Sequence, residues 1–204
     1  MSKAAKAAPG SPAWLNRKNL IYATIAIVVI AAVAAVGLAN RGAVSNVAQT
    51  VNPDAKLAVG QTAPTFSITT NAGPFDLASV NTPVFLEVFA TWCPHCMHEV
   101  PIVDALAKAY AGKVAFVGVS GSQYGMDEQS PESQDDVNAW VQRLNVTYPV
   151  AFDSDLQIAN EYLQGGYPTI VMIDSHKVVR YVNSGELPPQ ELETALNGIL
   201  SSHS

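Results

Sequence analysis

The chain has 204 residues, 49% of them apolar, with 11 Lys and Arg against 17 Asp and Glu for a net charge of −6. The length suits one domain of ordinary size plus an appended segment. Residues 1–53 hold five of the cations (Lys3, Lys6, Arg17, Lys18, Arg41) and no acid, leaving six cations against all 17 acids in the rest. A body that acidic lacks the Lys/Arg surface that phosphate neutralisation requires, which excludes nucleic acid as a partner.

Residues 1–18 include APGSPA and read as a short disordered cytoplasmic tail. Residues 19–39 follow without a single charge. From Leu20 to Ala39 they would make a helix of about 30 Å, the thickness of a bilayer core. They have no polar face, which argues against a buried core helix. Four of the five cations precede this stretch and one follows, so the positive-inside rule predicts a single-pass anchor with Met1 in the cytoplasm and everything after Arg41 outside. A cleaved signal peptide is the competing reading. GLA before Asn40 offers a cleavage site, although the apolar run exceeds the usual length of about 7–15 residues.

Residues 40–59 lack strong periodicity and read as a tether, and residues 60–204 form the predicted domain. TFSIT and PFDLA suggest a short strand or hairpin entry. PVFLEVFA (83–90) is an apolar run with one acid in it, as a buried strand requires. Pro94 to Ala111 carries helical spacing, with Met97, Val100, Val103, Leu106, Ala107 and Tyr110 on one side. KVAFVGVS (113–120) reads as a second buried strand, MDEQSPESQ as a polar loop, and Asp135–Leu144 and Asp155–Leu163 as helices. TIVMID and KVVRYV flank a hairpin turn, and PPQELETALNGIL opens with prolines and continues as a helix. The succession predicts an α/β fold, a mixed central sheet with helices on both faces.

The two cysteines, Cys93 and Cys96, are the only ones in the chain and stand three positions apart in FATWCPHCMHE. A structural disulfide closing so small a loop would remove little chain entropy. A zinc site needs four ligands, typically two such pairs, and only His95 and His98 are near, so no metal is expected. A redox centre explains more. Cys93 follows a buried strand and opens a helix, where free N–H groups and the dipole stabilise a thiolate, the attacking species. Pro94 fits the first helical turn, where its missing N–H does no harm. Cys96, one turn on, is placed to resolve a mixed disulfide. The expectation is an exposed nucleophile at Cys93, a more buried resolver at Cys96, and thiol–disulfide exchange through a covalent intermediate.

EVFATWCPHC resembles the strand–WCxxC–helix segment of the thioredoxin superfamily. Glu87, six before Cys93, falls where that superfamily carries a buried acid. Pro101 falls where its active-site helix kinks, and GYPT (166–169) matches the loop whose proline is cis. The resemblance spans about residues 60–200 and implies a thioredoxin-like fold. It implies a Cys93–Cys96 redox-active disulfide, a proton relay from Cys96 through Glu87, and a substrate-binding edge formed by Trp92, Pro94, Tyr167 and Pro168. VGQTAPTFSI and the segment leading to GGYPTIVMID are similar to the membrane-anchored TlpA/ResA-like branch. Glu99, three after Cys96, falls where that branch carries an active-site glutamate. An ordinary first-turn helix acid is the plainer reading of Glu99, and a strand-edge position that of Glu87. His98 reads as simply exposed.

His95 cuts across the branch. TlpA/ResA-like proteins generally act as reductants, for example toward the haem-binding CxxCH of apocytochrome c, whereas Pro-His is the dipeptide of DsbA-like oxidants. A partly cationic imidazole beside the Cys93 thiolate favours the reduced form and makes the disulfide more oxidising. Glu87 and Glu99 push the other way, and the sequence leaves the direction open. A peroxiredoxin-type peroxidase needs Thr or Ser where Ala90 stands, and a copper-delivery protein needs CxxxC. No organic cofactor is implied. Two cysteines confined to one site suit an extracytoplasmic space, with exported cysteine-bearing proteins as substrates. The resemblance implies a CcdA/DsbD-like membrane donor for a reductant, or a DsbB- or VKOR-like acceptor for an oxidant.

Overall fold

The computed structural model describes residues 57–201. The expected tail at 1–18, the anchor at 19–39 and nearly all of the tether lie outside those residues. Among the described residues, no helix is long and apolar enough to cross a membrane.

Seven strands form one mixed sheet: β1 (Ser67–Thr70), β2 (Gly73–Asp76), β3 (Val84–Phe89), β4 (Ala115–Ser120), β5 (Val150–Phe152), β6 (Thr169–Ile173) and β7 (Val179–Ser184), in the spatial order β2-β1-β5-β4-β3-β6-β7. Strand β3 lies parallel to β4 and antiparallel to β6, so it sits between partners with no free edge. All six of its residues are buried, which explains its unbroken apolar run. Alternation divides them between two cores. Phe85 and Phe89 point to the face covered by α1 (Pro94–Ala109), α2 (Gln134–Leu144) and α4 (Pro189–Ser201). Val84, Leu86 and Val88 point to the other, where α3 (Gln157–Tyr162) packs with Ala63 and Leu77. On the first face, Phe89 and Trp140 stack at 4.3 Å, both fully buried.

The predicted helices form where their ends are chemically marked. Ser133 and Asp136 make a reciprocal capping box at the start of α2, and Asn145 ends it in the left-handed conformation. Helix α1 stops at Ala109, two residues before the predicted end, and Gly112 turns the chain at φ +74°. Helix α3 is shorter than Asp155–Leu163 because the buried Asp153 carboxylate accepts from the amides of Gln157 and Ala159 and sets its start. Strand β5 is an addition to the predicted elements. Three residues carry no readable periodicity, and pairing with β4 (Gly118 with Val150, Ser120 with Phe152) and with β1 (Thr70 with Ala151) makes them a strand. The β6–β7 hairpin turns on Asp174, whose carboxylate accepts from the amides of His176 and Val178 and pairs with Arg180 at 2.7 Å.

Candidate active site

Strand β3 ends at Phe89, and the chain then delivers Cys93 to the N-cap of α1, with Pro94 as the first helical residue. The Cys93 Sγ accepts from the Cys96 amide at 3.3 Å and lies 3.7 Å from the Tyr167 carbonyl oxygen. These contacts correct one expectation: Cys93 is only 4% exposed, because the Tyr167–Pro168 loop lies over it. Cys96 is fully buried. Both are free thiols.

The two sulfurs sit in opposite electrostatic settings. A hydrogen bond from Cys96 lowers the Cys93 thiol to about 6, against the effect of its burial, with help from the Cys96 and His95 amides and the His95 charge. Burial, the hydrogen bond to Cys93 and the Glu87 charge push the Cys96 thiol far upward. One sulfur is therefore an anion near neutral pH and the other keeps its proton, the arrangement in which one attacks and the other waits.

Glu87 is fully buried in the middle of β3, which excludes the strand-edge reading. The Tyr148 hydroxyl donates to its Oε2 at 3.2 Å, and Oε1 has no partner. Burial, reinforced by the Glu99 charge, raises Glu87 to about 8. Glu99 is likewise fully buried rather than an exposed first-turn acid. The Leu187 amide donates to its Oε1 at 3.0 Å, its Oε2 is unpartnered, and burial raises it to about 7. Two carboxyls with free oxygens that change protonation near neutrality thus lie around the cysteine pair, with the Glu87 charge acting on Cys96 and the Glu99 charge coupled to Cys93 and Glu87.

The expected substrate edge is assembled around the cysteines. The Tyr167–Pro168 bond is cis, as the resemblance implied. The Trp92 Nε1 donates to Ser122 Oγ at 2.8 Å, and its ring stands edge-on to Tyr167 at 5.8 Å. Pro94 is exposed beside Cys93. His95 is 67% exposed and pairs through Nδ1 with Glu186 Oε2 at 2.9 Å, which raises its pKa. His98 is exposed, as expected, and stands 4.0 Å from the same oxygen.

Several residues of the site carry no mark in the sequence. Tyr148 holds Glu87 from β5's approach, 61 positions away. Glu132, read as part of a polar loop, is buried and accepts from Thr91 and Ser120 hydroxyls at 2.7 Å each, fastening that loop beside the WCPHC turn. Glu186 and Leu187 come from the segment before α4. Spacing along the chain could reveal none of them.

A vicinal cysteine pair at a helix N-terminus, after a buried central strand and against a cis-proline loop, defines a thioredoxin-fold thiol–disulfide oxidoreductase. The chain belongs to the Redoxin family, whose profile matches residues 58–199. It is similar to the thioredoxin-like protein YneN of Bacillus subtilis, 30% identical over 140 residues covering 68% of this chain and 78% of that one. It is also similar to the thiol-disulfide oxidoreductase ResA of Geobacillus kaustophilus (30% identical, 70% and 79% covered). The thiol:disulfide interchange protein DsbE of Escherichia coli is 29% identical, with 72% and 76% covered. A thioredoxin-family thiol:disulfide interchange protein from Chlorobium tepidum superposes with a TM-score of 0.55 at 27% identity, over 71% of this chain and 99% of that one. The chain is a TlpA/ResA-like oxidoreductase.

Proposed function

We propose that the protein is a membrane-tethered, extracytoplasmic reductant of disulfides in exported proteins, anchored by residues 19–39 with residues 1–18 in the cytoplasm. The observation that carries the direction is the pair of buried carboxyls, Glu87 and Glu99, whose charges and that of the Cys93 thiolate disfavour one another and so disfavour the reduced, anionic centre. The Pro-His dipeptide pulls the other way, since pairing with Glu186 favours the cationic form of His95 and that charge favours the Cys93 thiolate. The names of ResA and DsbE relatives support the branch.

In this reading the Cys93 thiolate attacks one sulfur of a substrate disulfide, forming a mixed disulfide and expelling the other substrate sulfur as a thiolate. Cys96 then passes its proton to Glu87 in its ionised form and attacks the Cys93 sulfur. The mixed disulfide breaks, the substrate leaves with two thiols, and Cys93–Cys96 is oxidised. Trp92, Pro94, Tyr167 and Pro168 form the edge against which the substrate backbone lies. A CcdA/DsbD-like membrane donor restores the thiols, and proteins bearing the haem-binding CxxCH are the first substrate class to test.

The test is the reduction potential against a glutathione buffer. The reading requires a value nearer thioredoxin's, about −270 mV, than DsbA's, about −120 mV. A value near the latter would reverse the direction and make a DsbB- or VKOR-like acceptor the partner.

A further inference from the structure

Beside the exchange centre lies a group of side chains that the reaction above leaves unused as a set. His95 and His98 are three residues apart on the first two turns of α1, so both rings project from one side. Glu186 faces them from the segment before α4. One ligand atom from each lies within 4.8 Å of the other two, with Nδ1 to Oε2 separations of 2.9 Å from His95 and 4.0 Å from His98.

We propose that His95, His98 and Glu186 form a binding site for a first-row divalent transition-metal cation of the zinc class. Two imidazoles and a carboxylate suit such an ion and not the hard cations, which prefer oxygen-only shells. Metal–ligand bonds of about 2.0–2.2 Å in tetrahedral array place ligand atoms roughly 3.3 Å apart. The separations seen here bracket that value, and the exposed histidine rings can turn to meet it. The imidazole pair sits on a helix, and the carboxylate is held from both sides along its own chain. The Gly185 amide bonds to the Pro168 carbonyl at 2.8 Å, and the Leu187 amide bonds to Glu99 at 3.0 Å. Pro188 and Pro189 stiffen the chain beyond. The donors therefore come from two elements whose backbones are already fixed, so little ordering opposes binding. Three protein ligands leave a fourth position open to water or to a partner's side chain.

An ion here would join the helix that bears both cysteines to the loop that lies against Glu99. It would also occupy His95, one of the two residues between the cysteines. The site stands on its own geometry and holds whichever way electrons flow through Cys93 and Cys96.

The test uses the full chain in detergent, oxidised so that neither cysteine can ligate, with Zn²⁺ as the probe. Titration calorimetry is expected to show one saturable site. Zn²⁺ is also expected to raise the thermal midpoint, since an ion that binds only the folded state stabilises it. His98→Ala, a change at a 71% exposed side chain, should weaken binding at least ~10-fold, the lower bound for losing even a supporting residue of a metal site. No binding by the oxidised chain, or binding unchanged in His98→Ala, would overturn the proposal. Binding confined to the reduced chain would overturn it too, assigning the ion to the cysteines. Failure of the reductant reading leaves these outcomes untouched, because none involves a potential.

Discussion

Replacing Glu87 by Gln removes a carboxyl that titrates near 8 in the folded protein and near 4.5 when the chain is unfolded. Between those values the folded state holds a proton that the unfolded state has released, so stability falls as pH rises through that window. The slope from one such group is about 1.4 kcal/mol per pH unit. From pH 5 to pH 7 Glu87 therefore withdraws roughly 2–3 kcal/mol, discounted somewhat for its coupling to Glu99. Gln keeps the shape and an oxygen for the Tyr148 hydroxyl to reach, but no longer titrates. Its unpartnered amide has a fixed cost at every pH. Urea unfolding of the reduced wild type and variant, followed by Trp fluorescence at pH 5, 6 and 7, measures the difference. Cys93 titrates in both chains and largely cancels. The expected result is a variant whose stability relative to wild type improves steadily across the window. Parallel curves would show that Glu87 is ionised like any surface glutamate, and would remove it from the proton route to Cys96.

Alkylation of Cys93 should be half-maximal near pH 6 and slow as pH falls below it; a midpoint near the ordinary thiol value of about 8.5 would contradict the hydrogen-bonded thiolate. Cys96→Ser should accumulate mixed disulfides with substrate proteins while Cys93→Ser accumulates none, and equal trapping by both would reverse the assigned roles. Ser133→Ala deletes the capping box of α2 and should cost about 1 kcal/mol, read as a drop in thermal midpoint of about 2–4 °C. No change would mean that α2 is held by Val137 and Trp140 alone.

Much of the site was legible in the chain because its chemistry is local. Cys93, Pro94 and Cys96 occupy one strand-to-helix turn, so spacing alone places two sulfurs within a turn of each other at a helix N-terminus. The unbroken apolar run of β3 announced a strand buried on both faces, and a lone acid within it announced a buried Glu87. The cis proline opposite was legible by resemblance, since the 74 residues separating Tyr167 from Cys93 carry no periodic signal of contact.

The tertiary structure decided what depends on partners distant along the chain. Strand β5 exists through its pairing with β4 and β1, and Tyr148, two residues before it, reaches Glu87. Glu99 has the sequence of a helix-start acid, and becomes a buried group near 7 only because the chain before α4 covers it. His95 reads as a partly cationic imidazole, and Glu186, arriving from 91 positions away, pairs with it and raises its pKa. Local sequence settles which groups a turn presents. The dielectric around those groups, and the charges that face them, come from packing, and these set the pKa values on which the direction of electron flow depends.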